Sequence, residues 1–160
     1  MKYGIIATDY DGTLATNGVV TDATITAMER YRDAGGTLIM VTGRELPELQ
    51  KTCPRLDLFE GVVVLDAQVI LNKRAVMVLP TGGNKASGLA AALKTLDLET
   101  VKVAGIGDAE NDVDLLQRAD VSVAVANALP RLKAIADKVT TQSRGAGVQE
   151  LIEFILSGLL

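Results

Sequence analysis

Asp9-Tyr10-Asp11-Gly12-Thr13-Leu14 follows directly on the apolar run Gly4-Ile5-Ile6-Ala7. Two carboxylates one residue apart at the end of a buried strand are costly to place without a use for them. Positions i and i+2 of a strand face the same side, so the two acids repel unless something intervenes. A divalent cation, or a proton on one of the pair, relieves that repulsion. Gly12 then lets the backbone turn sharply, because glycine tolerates dihedrals that other residues avoid. A solvated Asp-rich turn is the plain alternative; the pairing favours catalysis.

Three further groups follow in chain order. Thr42-Gly43-Arg44 closes the apolar run Thr37-Leu38-Ile39-Met40-Val41. A hydroxyl and exposed backbone amides at a strand–helix junction suit a phosphate, although Thr42 as an ordinary helix N-cap explains the same residues. Gly82-Gly83-Asn84-Lys85 opens a helical stretch; Lys85 alone says little, since lysines mostly sit on solvated faces. Val101–Gly107 runs into Asp108-Ala109-Glu110-Asn111-Asp112, a second acid pair at a second strand's carboxyl end. Ligands of open α/β sheets bind at the carboxyl ends of strands, where all four groups fall.

The elements that must carry these residues alternate strand and helix. That pattern predicts an α/β fold, a parallel sheet with helices on both faces. Strands are expected at 3–9, 37–42, in short pieces over 61–80 with a turn at Asn72-Lys73, at 101–107, 121–125 and 139–140. Helices are expected from Thr21-Asp22 to Gly35-Gly36, at 45–52, 85–96 and 111–118, from an Asn127 cap through Ala136, and at 146–157. Asn17-Gly18 is a hairpin signal inside a flap from Thr13 to Val20. Gly107 beside Asp108 would let a ligand approach the backbone. There is no internal repeat, linker or domain break, so residues 1–160 read as a single domain.

Composition removes whole classes of function. The 160 residues are 48% apolar, enough for a substantial core, and only 3% aromatic, which leaves no platform for base stacking. Net charge is −4 with no basic block, against nucleic acid or an anionic membrane as the main partner. No histidine exists, so His-based acid–base chemistry and His-ligated metals are excluded. The single Cys53, near a helix end, suits a reducing cytosol and a cytoplasmic location. The N-terminal apolar stretch ends at Asp9, unlike a signal peptide, and no window approaches a membrane span. The apolar tail Leu151–Leu156 packs a terminal helix or a subunit contact.

Taken together the four groups resemble the haloacid dehalogenase (HAD) superfamily of phosphohydrolases. Asp9-Tyr10-Asp11-Gly12-Thr13 matches its first motif, Thr42-Gly43-Arg44 its second, Lys85 its third, and Gly107-Asp108 with Asn111-Asp112 its fourth. The nearest likeness is to the Cof-type sugar phosphatases. These insert a cap domain between the second and third motifs, and the segment from Thr42 to Lys85 is too short for one. The resemblance therefore implies a three-layer Rossmann-like, HAD-type domain without a separate cap, its open site covered, if at all, by a homo-oligomer.

The resemblance also implies a chemistry. Asp9 is the expected nucleophile and Asp11 the general acid, then base, a role that needs Asp11 protonated at the start, as neighbouring acids and partial burial would favour. Asp9, the Asp11 backbone carbonyl and Asp108 would ligate Mg²⁺, with Asp112 supporting that shell. Oxygen-only ligands favour Mg²⁺ over Zn²⁺ on chemical grounds too. Thr42 and the Gly43 amide would hold phosphoryl oxygens, Lys85 would neutralise them, and Asn111 would orient Lys85 or phosphate. Glu110 and Arg44 are expected at the surface or behind the site. The implied activity is Mg²⁺-dependent hydrolysis of a sugar phosphate or other small phosphorylated metabolite. A phosphotransferase or mutase shares the aspartyl-phosphate, and a non-catalytic phosphate-binding scaffold shares the fold. A receiver domain uses similar residues, but with its phosphoacceptor on a middle strand and its Lys late in the chain, unlike this order.

Overall fold

The computed structural model describes residues 1–65, 69–72, 75–78 and 83–160. Its first strand, β1 (Ile5–Thr8), is buried at every residue, as expected of a central parallel strand covered on both faces. β2 (Thr37–Thr42) pairs with it on one side, Ile5 opposite Thr37, and β6 (Val103–Gly107) on the other, Ile5 opposite Val103. β3 (Gly61–Val64) lies beyond β2; β7 (Val121–Ala124) and β8 (Lys138–Val139) lie beyond β6, all parallel. β4 (Val69–Asn72) and β5 (Ala75–Val78) extend the far edge antiparallel, so the order is β5-β4-β3-β2-β1-β6-β7-β8. The short strands expected over 61–80 thus continue the main sheet. Lys73 of the expected turn, Leu79 and Gly82 lie outside the described residues.

The helices cover this sheet for reasons visible in their sequences. α1 (Asp22–Asp33) starts at Thr21, whose hydroxyl accepts the Thr24 N–H at 3.3 Å, and buries Thr24, Ala27, Met28 and Tyr31 at helical spacing. Crossovers between parallel strands are right-handed. The β1-α1-β2 unit moves toward one edge, whereas the connection through α3 (Lys85–Thr95) runs back past β1 to β6. α3 therefore lands on the opposite face, beside α4 (Val113–Arg118), while α6 (Arg144–Leu156) packs against α1. Connections diverge between β1 and β6, and a crevice at their carboxyl ends is the expected ligand position.

Several boundaries differ from expectation. Strand one is shorter than 3–9, although the Asp9 N–H still donates to the Ile106 carbonyl at 3.2 Å and extends the ladder. The expected helix 111–118 begins as a tight 3₁₀ turn over Glu110–Asp112. Asn127 does not cap α5 (Pro130–Ile135): Pro130, with its fixed φ, is the first helical residue and sets the start. α2 (Leu46–Thr52) follows Glu45, so Thr42 is not its cap. In the flap, Thr16 and Val19 exchange both backbone bonds around Asn17 (φ 51°) and Gly18 (φ 78°), the type I′ hairpin turn that Asn-Gly favours. Leu151, Ile152 and Ile155 of the tail are buried in the core. Among the described residues no helix is long and apolar enough to cross a membrane.

Candidate active site

Register puts Asp9, one residue past β1, beside Gly107 and Asp108 at the tip of β6. Lys85 is the first residue of α3, whose start is fixed by reciprocal bonds between Asn84 and Ser87. From there its side chain runs inward and is 1% exposed. Its ammonium donates to Asp9 Oδ1 at 2.5 Å and to Asp112 Oδ1. Asp112 Oδ2 accepts the N–H groups of Asp108 (2.8 Å) and Ala109 (3.0 Å). Thr13, fully buried, donates its hydroxyl to Asp108 Oδ1 at 2.8 Å. One oxygen from each of Asp9, Asp108 and Asp112 lies within 4.8 Å of the others. These hard oxygen donors fit a divalent cation such as Mg²⁺.

Charge balance points the same way. Burial pushes Asp9 up to about 7, against the pull of Lys85 and with a further push from Asp112. Burial also raises Asp108, a rise that the Thr13 hydrogen bond resists. For Lys85, burial favours loss of the proton, but Asp9 and Asp112 outweigh it and hold the ammonium above its ordinary range. Three acids around one ammonium leave a negative excess, which a bound cation would offset.

Asp11 parts from this cluster. Gly12, in the left-handed region at φ 79°, turns the chain so tightly that a Cβ there would run into Asp108 Oδ2. Asp11 instead accepts Arg44 Nε at 2.6 Å and Arg44 Nη2 at 2.9 Å, with half of its side chain exposed. The expected crowding of Asp11 by other acids is therefore absent. Asp9 and Asp11 still share an open cleft of about 660 Å³ with Thr42, Gly43, Arg44 and Asn111. Thr42 is buried and its hydroxyl accepts the Arg44 N–H at 3.1 Å, while Gly43 is exposed. Asn111 is exposed in the cleft wall; Lys85 is held by Asp9 and Asp112 instead. Gly107 serves a neighbour, not a ligand: a Cβ there would stand 2.5 Å from the Asp112 Cβ.

Three further residues shape the site. Thr13 was legible within the first motif, as a hydroxyl one turn from two acids. Arg44, expected at the surface or behind the site, lies behind Asp11 and takes both of its oxygens with the guanidinium. Asn127 donates to the Gly12 carbonyl at 2.9 Å and accepts the Arg144 N–H at 2.8 Å, tying the loop after β1 to the start of α6. Only the fold brings it there.

A family model for haloacid dehalogenase-like hydrolases matches residues 6–77 and 68–152. The chain belongs to that family. Phosphoglycolate phosphatase 2 of Saccharolobus solfataricus is 43% identical over 91 residues, covering 57% of this chain and 39% of that protein. The phosphoglycolate phosphatase of Methanothermobacter thermautotrophicus is 35% identical over 104 residues, 65% of this chain and 47% of that protein. The chain thus spans less than half the length of either relative. In three dimensions it superposes on Thermoplasma acidophilum 0175 with a TM-score of 0.82 at 15% identity, covering 100% of both chains. A 3-deoxy-D-manno-octulosonate 8-phosphate phosphatase from Moraxella catarrhalis, solved with magnesium, phosphate and KDO, gives 0.73 at 21% identity, covering 98% of this chain and 87% of that one. These likenesses establish the HAD fold: a Rossmann-like sheet with helices on both faces.

Proposed function

We propose that this HAD-family hydrolase is a Mg²⁺-dependent phosphomonoester hydrolase working through an aspartyl-phosphate on Asp9. The observation that carries the reading is the convergence of Asp9, Asp108 and Asp112 around the Lys85 ammonium at the carboxyl ends of β1 and β6. The phosphatase names of its sequence relatives support it. Asp9 attacks phosphorus, its new O–P bond forming as the bond to the leaving oxygen breaks. Asp11 gives that oxygen a proton, then takes one from the water that attacks the aspartyl-phosphate, which frees Asp9 and inorganic phosphate. Thr42 and the Gly43 amide hold phosphoryl oxygens, Asn111, which lines the same cleft, assists, and Lys85 offsets charge on Asp9 and the phosphoryl group.

Asp9, Asp108 and the Asp11 carbonyl are the direct metal ligands in this reading. Asp112, with both oxygens already engaged by Lys85 and backbone amides, orients the shell. Mg²⁺ held there supplies positive charge to the transferring phosphoryl group. Residues 1–160 act as one domain, and the open cleft admits a small phosphorylated metabolite such as a sugar phosphate or phosphoglycolate. A second copy covering the cleft and a cytoplasmic setting belong to the same proposal.

The test is a panel of 2-phosphoglycolate, glycerol 3-phosphate, ribose 5-phosphate and 4-nitrophenyl phosphate, assayed for free phosphate with Mg²⁺ or chelator. Release that needs Mg²⁺ and vanishes in Asp9→Asn is expected. Phosphate appearing only on an added sugar would make the chain a transferase, and no turnover on any member would make it a scaffold.

A further inference from the structure

Arg44 occupies an unusual position for a residue at a cleft rim. Its guanidinium grips Asp11 with two hydrogen bonds, of 2.6 and 2.9 Å. The same group sits over the Tyr10 ring, 5.3 Å from its centre, and Nη1 reaches the Thr52 hydroxyl of α2 at 3.4 Å. Tyr10 is fully buried and donates its own hydroxyl to the Gly18 carbonyl at the tip of the flap, at 2.9 Å. A Cβ on Gly18 would lie 3.2 Å from Arg44 Nη2, so the flap tip also backs onto the guanidinium. Three separate pieces of chain, the flap, α2 and the loop after β1, therefore meet on one planar cation.

That arrangement restricts Asp11 in a way its own environment does not. Asp11 follows Tyr10 and precedes a left-handed glycine, and half of its side chain faces solvent. An aspartate so placed would sample several rotamers. A bidentate guanidinium fixes both carboxylate oxygens in one plane, which a lysine ammonium cannot do. The guanidinium in turn is fixed by an aromatic face, a contact that restrains it without consuming its donors.

We propose that Arg44, seated on Tyr10, is the positioning residue for Asp11: the ionised carboxylate takes both guanidinium bonds, and on protonation one oxygen leaves the guanidinium to carry the proton toward the leaving group while the other keeps its bond and holds the group in place. It rests on the reading of Asp11 as general acid and base. The flap contributes through Tyr10: where Gly18 goes, the ring and the guanidinium above it follow. Among the described residues the Arg44 guanidinium bonds to Asp11 and Thr52 and to no member of the buried acid cluster, so in this proposal its effect on the reaction runs through Asp11.

Leaving-group dependence separates positioning from substrate binding. An alkoxide needs a proton as it departs; 4-nitrophenolate does not. With Mg²⁺ present, kcat and KM would be measured for Arg44→Met, Arg44→Lys, Tyr10→Phe and Asp11→Asn on 4-nitrophenyl phosphate. The same variants would be run on the fastest alkyl phosphate of the panel above. Asp11→Asn should lose about 10²–10⁴-fold in kcat on the alkyl ester and far less on the aryl ester. Arg44→Met should show the same selective loss at about tenfold or more, with KM nearly unchanged, and Arg44→Lys should not rescue it. Tyr10→Phe should show it more weakly. Added to Asp11→Asn, Arg44→Met should cost nothing further, because both act through one carboxyl group.

Equal losses on the two esters, a rise in KM alone, or additive losses in the double variant would assign Arg44 to phosphate binding and overturn the proposal. A lack of leaving-group dependence in Asp11→Asn itself would instead remove Asp11 from acid–base work, and the proposal with it. Circular dichroism of each variant checks that the fold persists, and Arg44→Lys keeps the test alive should Arg44→Met unfold.

Discussion

The two walls of the site are built on opposite principles. At the centre, Asp9, Lys85 and Asp112 are almost wholly buried, and each side chain answers to backbone or to another member of the cluster. At the rim, Asp11 is half exposed and held by Arg44, which keeps some contact with solvent and is braced by Tyr10 and Thr52. The same kind of contact, a carboxylate on a cation, has different consequences in the two places. Screened by water, a pair contributes little to stability. Buried, it becomes costly to break, because the survivor is left charged and unpaired. The centre therefore tolerates little change, while water screens the pair at the rim and lowers what its loss costs in stability.

Substitution should expose that contrast most strongly at Lys85. Lys85→Met leaves Asp9 and Asp112 facing each other without a cation and should destabilise the protein by roughly 3–5 kcal/mol. Turnover should fall by about 10²–10³-fold. Denaturant titration and phosphate release check both, and a variant of near-native stability would show that the cluster is not held by charge pairing.

Magnesium should stabilise the centre in a pH-dependent manner. Asp9 rises from 3.8 to about 7 on folding, chiefly by burial, so the folded protein binds this proton more tightly than the unfolded chain. The stability contributed by that proton is complete below the unfolded value and is lost as pH rises through about 7. A cation that takes the place of the proton should restore it, with about 2.7 kcal/mol of gain at a hundredfold excess over Kd. The difference in Tm between Mg²⁺ and chelator should thus be small at acidic pH and grow through neutrality. A gain independent of pH would contradict ligation by Asp9.

Gly107→Ala probes the same centre sterically. Its new methyl would press on Asp112, 2.5 Å from that residue's Cβ. A loss of about 1–3 kcal/mol is expected, together with weaker Mg²⁺ stabilisation, since the amide cradle of Asp112 would shift. Unaltered Mg²⁺ dependence would mean that Asp112 has slack to move. The smallest effect belongs to the rim: Arg44→Met should change stability by no more than about 1 kcal/mol, measurable as an almost unmoved Tm. A large loss there would erase the distinction between the two walls.

The same contrast explains what could be read from the sequence. Asp9 and Asp108 sit at strand ends, with Asp112 in the 3₁₀ turn just beyond the second, and strand ends announce themselves through runs of apolar residues and the turns that close them. Once β1 and β6 pair in register, those acids have to meet. Lys85 was legible only in its order among the motifs, because nothing local distinguishes a lysine that turns inward from one that does not. The bonds of Asp11 to Arg44 and of Gly12 to Asn127 depend on where a flap and distant loops come to rest, and no periodicity encodes that. Asn127 looked like a helix cap because its type is right for one; Pro130 decided otherwise. The edge strands β4 and β5 were foreseen as strands but not as antiparallel continuations of the sheet, since apolar runs do not declare their direction.

The most direct measurement is a search for the phosphorylated protein itself. Protein mixed with 4-nitrophenyl phosphate and Mg²⁺, quenched in acid within a turnover and weighed intact, should carry one extra phosphoryl group. Peptide mapping should place it on Asp9, and Asp9→Asn should carry none while keeping its circular dichroism. Turnover at full rate in Asp9→Asn, or a phosphoryl group trapped on any other residue, would contradict the account.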